Sequence, residues 1–381
     1  MSEPKKRGKV SAGQIIVLVL SLLTGLLGGV WLGGYLGSYL GEDSAPAEFF
    51  LLLIGALLLF YAAALIQLIL HEGGHLLFGL WSGYRISSFR IFGLMWLRVD
   101  GKIRCKHLSI AGTAGQCLMA PPDIVDGKLP VVWYNLGGSL VNLVTGLIFF
   151  GLYLWLPPIP VLSLLLLFLA VAGWLFAAIN GIPLRQGTVD NDGYNAISLT
   201  RSPEALRAFW VQMKINERLS GGARLRELPD EWFEMPSDEA MKNSMVAAIG
   251  VFACNRLIDE GRLAEADEKM AHLLEIESGM VGLHRSLLVC DRIFVELVTQ
   301  NRREVLDAFL TPQQTAFMKQ MKRFPSILRT QYAYALLQEK NEERAREILA
   351  QFEASAKKYP YQSDVQNDRD LVKLAQSLET V

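Results

Sequence analysis

The chain has 381 residues, 51% of them hydrophobic, and its 37 Lys and Arg nearly balance its 38 Asp and Glu. This composition excludes a strongly basic nucleic-acid-binding protein, and the length suits two domains. Residues 1–200 hold only 12 basic and 10 acidic residues among long apolar runs, whereas residues 201–381 hold 25 basic and 28 acidic residues. We predict a membrane-embedded domain over 1–200 and a soluble domain over 201–381.

Four apolar segments are long enough to cross a bilayer whose hydrocarbon core is about 30 Å thick. They run over roughly 14–40, 48–80, 131–156 and 160–180. The links at 41–48 and 157–160 contain no basic residue, whereas basic residues lie before residue 10, from Arg85 to Lys128, and at Arg185. Because cytoplasmic loops carry the excess of Lys and Arg, both termini and the 83–130 region should be cytoplasmic. We expect a multi-pass protein of the cell membrane, bacterial in origin.

The N-terminal segment has alternative interpretations. The basic residues 4–9 resemble a nuclear signal, but a basic stretch directly before an apolar helix is typical of a cytoplasmic anchor. Ala45-Pro46-Ala47 would suit the cleavage site of a signal peptide, yet the preceding apolar stretch is too long for one. Glycines recur along that stretch at every fourth position, namely Gly25, Gly29, Gly33, Gly37 and Gly41. This spacing favours a retained helix that another helix approaches closely.

The region 83–130 is neither apolar enough to span a membrane nor polar enough to be disordered. Residues 88–92 and 96–105 have strand character, and Asp100-Gly101, within the second stretch, is a hairpin signal. We predict two to four short strands lying at the membrane surface. Gly112 and Gly115 should end this region before Pro121-Pro122.

Residues 201–381 have helical periodicity throughout. Two stretches share one spacing of small and apolar residues: Cys254, Leu257, Ala266 and Met270 match Ala333, Leu336, Ala345 and Leu349. This loosely resembles tetratricopeptide (TPR) repeats, although the 79-residue offset is not a multiple of 34. The predicted fold is therefore mainly α: a polytopic helical core with a short membrane-surface β element, followed by a soluble TPR-like helical domain. The cysteines Cys105, Cys117, Cys254 and Cys290 have no CxxC spacing, so we expect neither disulfides nor a thiolate zinc site.

His71, Glu72 and His75 form the strongest chemical signal in the chain. Histidines four residues apart on a helix project from one face and can share a metal ion. Glu72 can reach a metal-activated water and accept its proton. The alternative is a histidine pair satisfied by water or carbonyls, but ionisable residues in an apolar span are costly unless functional. The three other histidines, His107, His272 and His284, are interpreted as surface or packing residues.

A third ligand is available at the same depth. From Glu48 to His71 is about 34 Å of helix, and from Pro160 to Asn180 about 30 Å, so both segments end near the cytoplasmic edge. Pro183 and nearby glycines then end the helix, and the chain can fold back with a carboxylate, Asp192 or Asp190. Two histidines, one carboxylate and an open position are typical of catalytic zinc. Gly73 and Gly74 indicate that a chain segment or a substrate comes close.

These motifs resemble the site-2 protease (M50) family of intramembrane metalloproteases. His71-Glu72-x-x-His75 matches its first motif, and Asn180-x-x-Pro183 with Asp192-Gly193 matches its second, with a small insertion. The resemblance implies Zn²⁺ bound by His71, His75 and Asp192, with Glu72 catalytic, and it favours Asp192 over Asp190. It further implies substrate-positioning roles for Asn180 and Asn142, the latter in a Gly-x-x-x-Asn element. From its type alone, Asn142 equally suits an interhelical hydrogen bond.

The expected function is hydrolysis of a peptide bond in or beside a substrate's transmembrane segment, near the cytoplasmic leaflet. The substrate would be a membrane protein or membrane-tethered peptide within the lipid bilayer, and the helical domain would hold a protein partner. One alternative is a non-proteolytic scaffold that binds a partner through residues 201–381. A second is a transporter component, but four spans with no other buried charge offer little pathway.

Overall fold

The computed structural model describes residues 12–40, 45–99, 102–108, 113–184 and 190–379. This part of the chain is mainly helical with one small antiparallel sheet, as predicted. The N-terminal basic stretch, the link 41–44, Asp100-Gly101, Gly112 and residues 185–189 lie outside it. In chain order the elements are α1 (Ala12–Gly37), α2 (Pro46–Trp81), β1 (Arg85–Ile91), β2 (Leu94–Val99), β3 (Lys102–His107), β4 (Gly115–Ala120), α3 (Val131–Trp155), α4 (Pro160–Gly181), α5 (Asp192–Arg201), α6 (Pro203–Ser220), α7 (Ser244–Asp259), α8 (Leu263–Glu275), α9 (Gly282–Thr299), α10 (Arg303–Phe309), α11 (Pro312–Gln320), α12 (Pro325–Ala333), α13 (Glu342–Ala356) and α14 (Gln362–Glu379).

Within the described residues, three helices are long and apolar enough to cross a membrane. These are α2, α3 and α4, with 36, 25 and 22 residues. They coincide with the second, third and fourth predicted spans. Pro160 starts α4 at a position where its missing N–H costs nothing, and Pro183 follows the end of that helix. The first predicted span lies on α1, a helix of 26 residues.

The glycine stripe of α1 does not receive another helix within the described residues. No atom lies within 4 Å of where a Cβ would stand at Gly25, Gly29, Gly33 or Gly37. The prediction of close packing at these glycines is therefore wrong for this chain alone. The contacts of α1 instead come from Leu32, Tyr35 and Leu36, which belong to an apolar cluster with residues of α2 and α4. Large side chains bury more apolar surface than glycines can, which explains the choice of face.

The region between α2 and α3 forms a four-stranded antiparallel sheet in the order β3-β2-β1-β4. The predicted hairpin is present, because β2 pairs with β3 from Leu94 opposite His107 to Val99 opposite Lys102. The strands β3 and β4 are the two edges. The edge strand β3 is mostly exposed, whereas three of the six residues of β4 are buried and the other three are half-buried. Burial therefore increases across the sheet from the β3 edge toward β1 and β4.

The C-terminal half consists of helices, most of them joined by short turns; the longer segment 221–243 between α6 and α7 contains three short 3-10 turns. The two stretches of matching sequence lie on consecutive helices that pack together, α7 with α8, and α12 with its π-helical continuation and α13. Seven of the eight matching residues are buried, and Leu349 is half-buried. Arg329 of α12, only 2% exposed, binds Asp291 of α9 and Asp368 of α14. That ionic group ties three helices together in the interior.

By internal contacts, the chain divides into two compact units. One comprises residues 1–74, 135–186 and 190–196, and the other comprises 75–134, 187–189 and 197–381. The helix α2 is continuous across the division. In the second unit the sheet shares one apolar core with the C-terminal helices, and α6 packs on β4, β1 and β2. This division differs from the predicted boundary at residue 200.

Candidate metal site

The candidate site begins on α2, which carries His71, Glu72 and His75 on consecutive turns. All three side chains are buried, with 5%, 6% and 7% of their surface exposed. His71 and His75 are separated by about one helical turn and so share one side of the helix. Glu72 is three residues before His75 and is therefore its neighbour on the helix surface. A group of ionisable residues in an apolar helix needs partners, and the structure supplies them.

Asp192 is brought to His71 across 121 residues of sequence. Its Oδ2 lies 3.2 Å from His71 Nε2. Candidate ligand atoms of His71, His75 and Asp192 all lie within 4.8 Å of one another. Two imidazole nitrogens and one carboxylate oxygen at this spacing fit the donor set of a catalytic zinc site. The group contains Asp192, whereas Asp190 is not a member of it.

The neighbours of Asp192 explain how it reaches this position. Asn191 caps α5 by accepting a hydrogen bond from the Tyr194 amide at 2.9 Å. The same side chain also donates to the carbonyls of Ile179 and Ile182, at 2.7 and 2.6 Å. Asn191 therefore fastens the start of α5 to the end of α4. As the first residue of α5, Asp192 lies where a helix dipole favours negative charge.

Gly193 allows this close approach. A Cβ at Gly193 would overlap the backbone of Gly181 and lie 3.1 Å from the carbonyl carbon of Ile182. Any side chain there would push α5 away from the end of α4. The glycine that follows the aspartate in the sequence motif is therefore a requirement of packing.

The other nitrogen of His71 faces Asn142 of α3. His71 Nδ1 lies 2.7 Å from Asn142 Oδ1. Asn142 Nδ2 donates to the backbone and side-chain oxygens of Gln67, at 2.8 and 2.7 Å. Gln67 Nε2 donates in turn to the Leu169 carbonyl of α4 at 2.8 Å. Asn142 and Gln67 are both 0% exposed, so this hydrogen-bonded series is fully enclosed.

His75 has a corresponding partner. Its Nδ1 lies 2.8 Å from the backbone oxygen of Tyr134 in the first turn of α3. The Tyr134 hydroxyl donates to the Cys117 carbonyl of β4 at 2.7 Å, and its ring stacks on that of Tyr84. Each histidine thus presents Nδ1 to an oxygen acceptor, which leaves Nε2 as the ring nitrogen suited to a metal.

The two glycines between the histidines have different surroundings. A Cβ at Gly74 would lie 2.8 Å from the carbonyl carbon of Gly137 and from Cα of Gly138 on α3. No described atom lies within 4 Å of the corresponding position at Gly73. The facing chain segment that the sequence suggested is therefore present at Gly74, while Gly73 borders open space.

Of the remaining predicted residues, Asn142 contacts the ligand His71, whereas Asn180 and the other histidines are not members of the ligand group. Asn180 donates to the Phe176 carbonyl of its own helix, 3.0 Å away. For Asn142 the sequence offered two interpretations, substrate positioning or an interhelical hydrogen bond. In the structure it makes interhelical hydrogen bonds. His107 lies against Gly93, and His272 pairs with Asp238 at 2.8 Å on the surface, as ordinary surface histidines do.

Three contributors were missed from the sequence: Gln67, Asn191 and the Tyr134 carbonyl. Gln67 is the one strongly polar residue between Glu48 and His71, which was an available signal. Asn191 stands directly before a helix start, where asparagine is a preferred cap. A backbone carbonyl leaves no trace in the sequence.

Comparison of the chain with protein-family models, with curated proteins and with solved structures found no match.

Proposed function

We propose that this chain is a membrane-embedded zinc endopeptidase of the site-2 protease type. It would hydrolyse a peptide bond in or beside a substrate's transmembrane segment, near the cytoplasmic leaflet. The observation that carries the proposal is the convergence of Asp192, at the start of α5, with His71 and His75 of α2, a helix apolar enough to cross a membrane; their ligand atoms lie within 4.8 Å of one another. Glu72, buried beside them, supplies the remaining chemical group that such an enzyme needs.

The donor atoms suit zinc better than a harder cation. Mg²⁺ and Ca²⁺ prefer oxygen ligands, whereas two imidazoles with one carboxylate are typical of catalytic zinc. Bound there, zinc supplies Lewis acidity toward a carbonyl and lowers the pKa of a water to about 7. Three protein ligands leave a fourth position for water or substrate.

Glu72 is the proposed general base. It follows His71 directly, and its carboxylate can take a proton from the attacking water and return it to the leaving amine. General acid–base catalysis of this kind contributes about 10²–10⁴-fold to rate. The burial of Glu72 among apolar helices limits access of other water, which strengthens its electrostatic effect at the reacting carbonyl.

A transmembrane substrate must unwind before its carbonyls can react, because helical carbonyls are already hydrogen-bonded. A sheet edge can satisfy the released backbone by accepting the substrate as an added strand. We assign this role to β4. Its residue Cys117 is joined to His75 through a single residue, Tyr134. Both edge strands already make one such contact, the His107 amide of β3 with the Lys358 carbonyl and the Cys117 carbonyl of β4 with the Tyr134 hydroxyl, so the link to His75 is the basis of the assignment.

The test is zinc content and substrate cleavage by Glu72→Gln, with Glu48→Gln as a matched control. Both substitutions replace a glutamate of α2 by its isosteric amide, but Glu48 lies in the first turn of that helix, far from the histidines. We expect Glu72→Gln to retain one zinc per chain and to lose cleavage by at least about 10²-fold. Glu48→Gln should behave as the wild type.

Normal cleavage by zinc-loaded Glu72→Gln would exclude this mechanism. Should cleavage be undetectable in the wild type while a partner stays bound in both variants, the chain is a scaffold rather than a protease. The two results are distinguishable because partner binding to residues 201–381 does not require Glu72.

A further inference from the structure

We propose that Gln67 and Asn142 are positioning residues that hold His71 as its Nδ1–H tautomer, so that Nε2 presents a lone pair toward Asp192. This assignment adds detail to the proposed zinc site, and its expected effect on zinc affinity rests on that proposed function. The tautomer itself is a property of the metal-free chain.

His71 faces a choice between two acceptors. Its Nδ1 lies 2.7 Å from Asn142 Oδ1, and its Nε2 lies 3.2 Å from Asp192 Oδ2. A neutral imidazole carries one ring proton and can donate to only one of them. A proton on Nε2 would form a histidine–aspartate hydrogen bond and occupy the nitrogen that a metal requires. Which way Asn142 is turned therefore decides whether Nε2 of metal-free His71 carries a lone pair or a proton.

Two backbone carbonyls determine the direction of every hydrogen bond in the series. A backbone oxygen can only accept, so the Leu169 carbonyl requires Gln67 to present its amide nitrogen there, at 2.8 Å. Gln67 Oε1 then faces Asn142. The Gln67 backbone oxygen, also only an acceptor, lies 2.8 Å from the same Asn142 nitrogen. Asn142 must therefore direct its NH₂ group at Gln67 and its oxygen at His71, which places the proton on Nδ1.

The surroundings leave no room for the reversed arrangement. Flipping Asn142 would aim an NH₂ group at His71 and set its oxygen against two oxygens of Gln67, with all groups fully buried. An unsatisfied buried polar group costs about 1–3 kcal/mol, and the flip would create several. Gly173 of α4 makes the packing possible, because a Cβ there would lie 2.8 Å from Gln67 Nε2.

The series also explains a polar pair in an otherwise apolar region. Gln67 lies one turn before His71 on α2, and Asn142 bridges both of them from α3. The two anchoring carbonyls permit one orientation, which is the one that suits a metal ligand.

The experiment measures the tautomer and the metal separately. Nitrogen chemical shifts of ring-¹⁵N-histidine report the His71 tautomer in metal-free full-length protein, with the resonance assigned by its loss in His71→Gln. Zinc affinity is measured by competition with a chelator. We expect Nδ1–H in the wild type. In Asn142→Leu we expect the Nε2–H form and a loss of zinc affinity of about 10- to 100-fold.

Ser139→Ala is the matched control, since it removes another buried polar side chain of α3 whose hydroxyl has no hydrogen-bond partner among the described residues. It should change neither the tautomer nor the zinc affinity. Should Asn142→Leu fail to fold, Gln67→Met serves instead. It keeps the Gln67 backbone acceptor and should give a smaller loss of affinity with a mixture of tautomers.

An Nε2–H wild type, or an Asn142→Leu protein that keeps both tautomer and affinity, would overturn the inference. A wild type with the Nδ1–H tautomer that binds no zinc would instead contradict the proposed function and leave the positioning role intact.

Discussion

His71 Nε2 and Asp192 Oδ2 lie 3.2 Å apart, although 121 residues separate them in sequence. The contact joins the C-terminal third of α2 to the first residue of α5. It depends on the chain turning back sharply after α4, which Asn191 and Gly193 make possible. We therefore expect metal binding at the candidate site to be as sensitive to that turn as to its ligands.

The first prediction concerns the ligand set. Bound zinc should be lost in each of three variants, His71→Ala, His75→Ala and Asp192→Ala. Asp190→Ala should retain one zinc per chain, because Asp190 is not in the candidate ligand group. Metal analysis of the purified proteins by mass spectrometry checks this. Loss of zinc from Asp190→Ala together with retention in Asp192→Ala would reverse the assignment.

The second prediction concerns Gly193. Gly193→Ala should lose zinc even though no ligand is changed, because its Cβ would overlap the Gly181 backbone and displace Asp192. A matched control is Gly151→Ala in α3, where no described atom lies within 4 Å of the added Cβ. Zinc content and thermal stability of both variants give the answer. Equal zinc content in the two proteins would show that the turn adapts.

The ligand residues and Gly193 illustrate what the sequence could predict. The spacing of His71 and His75, the Asp-Gly pair and the strand signals of the sheet depend on local periodicity, which is visible in one chain. The enclosed contacts of Asn142 are not visible, because they depend on which helices pack together. The sheet and residues 201–381 were assigned to different domains for a related reason. Composition shows that residues 201–381 are more polar than the first half of the chain. It does not show that the sheet and these residues share one apolar core.

The third prediction concerns the stability of the helical unit against pH. The pKa of Asp364 in α14 is raised from its ordinary 3.8 to about 7, chiefly by loss of hydration and then by the nearby Asp368 and Asp259. The folded state therefore binds a proton that the unfolded state releases between about pH 4 and 7. Stability should fall as pH rises through that window, since the proton-binding difference sets the slope.

Thermal unfolding of full-length protein in detergent, measured between pH 4 and 8, tests this dependence. Asp364→Asn should make the profile less steep, because the amide cannot ionise; a slope should remain, because burial also raises the pKa of Asp368 to about 7. Asp307→Asn removes a carboxylate whose side chain is 60% exposed, and it should leave the profile unchanged. A profile that rises toward pH 7 in the wild type would show that other groups dominate.

The fourth prediction concerns the proposed orientation in the membrane. With Cys105 replaced, because it is exposed, a membrane-impermeant thiol reagent should label a cysteine placed at Ser44 from outside intact cells. A cysteine at Arg303, whose side chain is 73% exposed on α10, should react only after lysis. The reason is the absence of basic residues from the link 41–48. External labelling at position 303 would invert the orientation and place the metal site toward the opposite face.

The fifth prediction is that the sheet and the C-terminal helices unfold together. Phe209 of α6 is 5% exposed, and its ring lies 6.2 Å from that of Tyr134 within the core that both elements share. Phe209→Ala should cost about 3–5 kcal/mol through the cavity it leaves. Amide hydrogen exchange should then increase in β1, β2 and β4 as well as in α6 and α7, since a shared core opens as one unit.

Ile103→Ala on β3, where the side chain is 76% exposed, should leave exchange unchanged. If only α6 and its neighbouring helices lose protection in Phe209→Ala, residues 201–381 are an independent domain and the predicted boundary at residue 200 is correct. Joint loss would instead mean that deleting residues 201–381 uncovers the sheet, so a truncated protein could lose cleavage without any change in substrate choice.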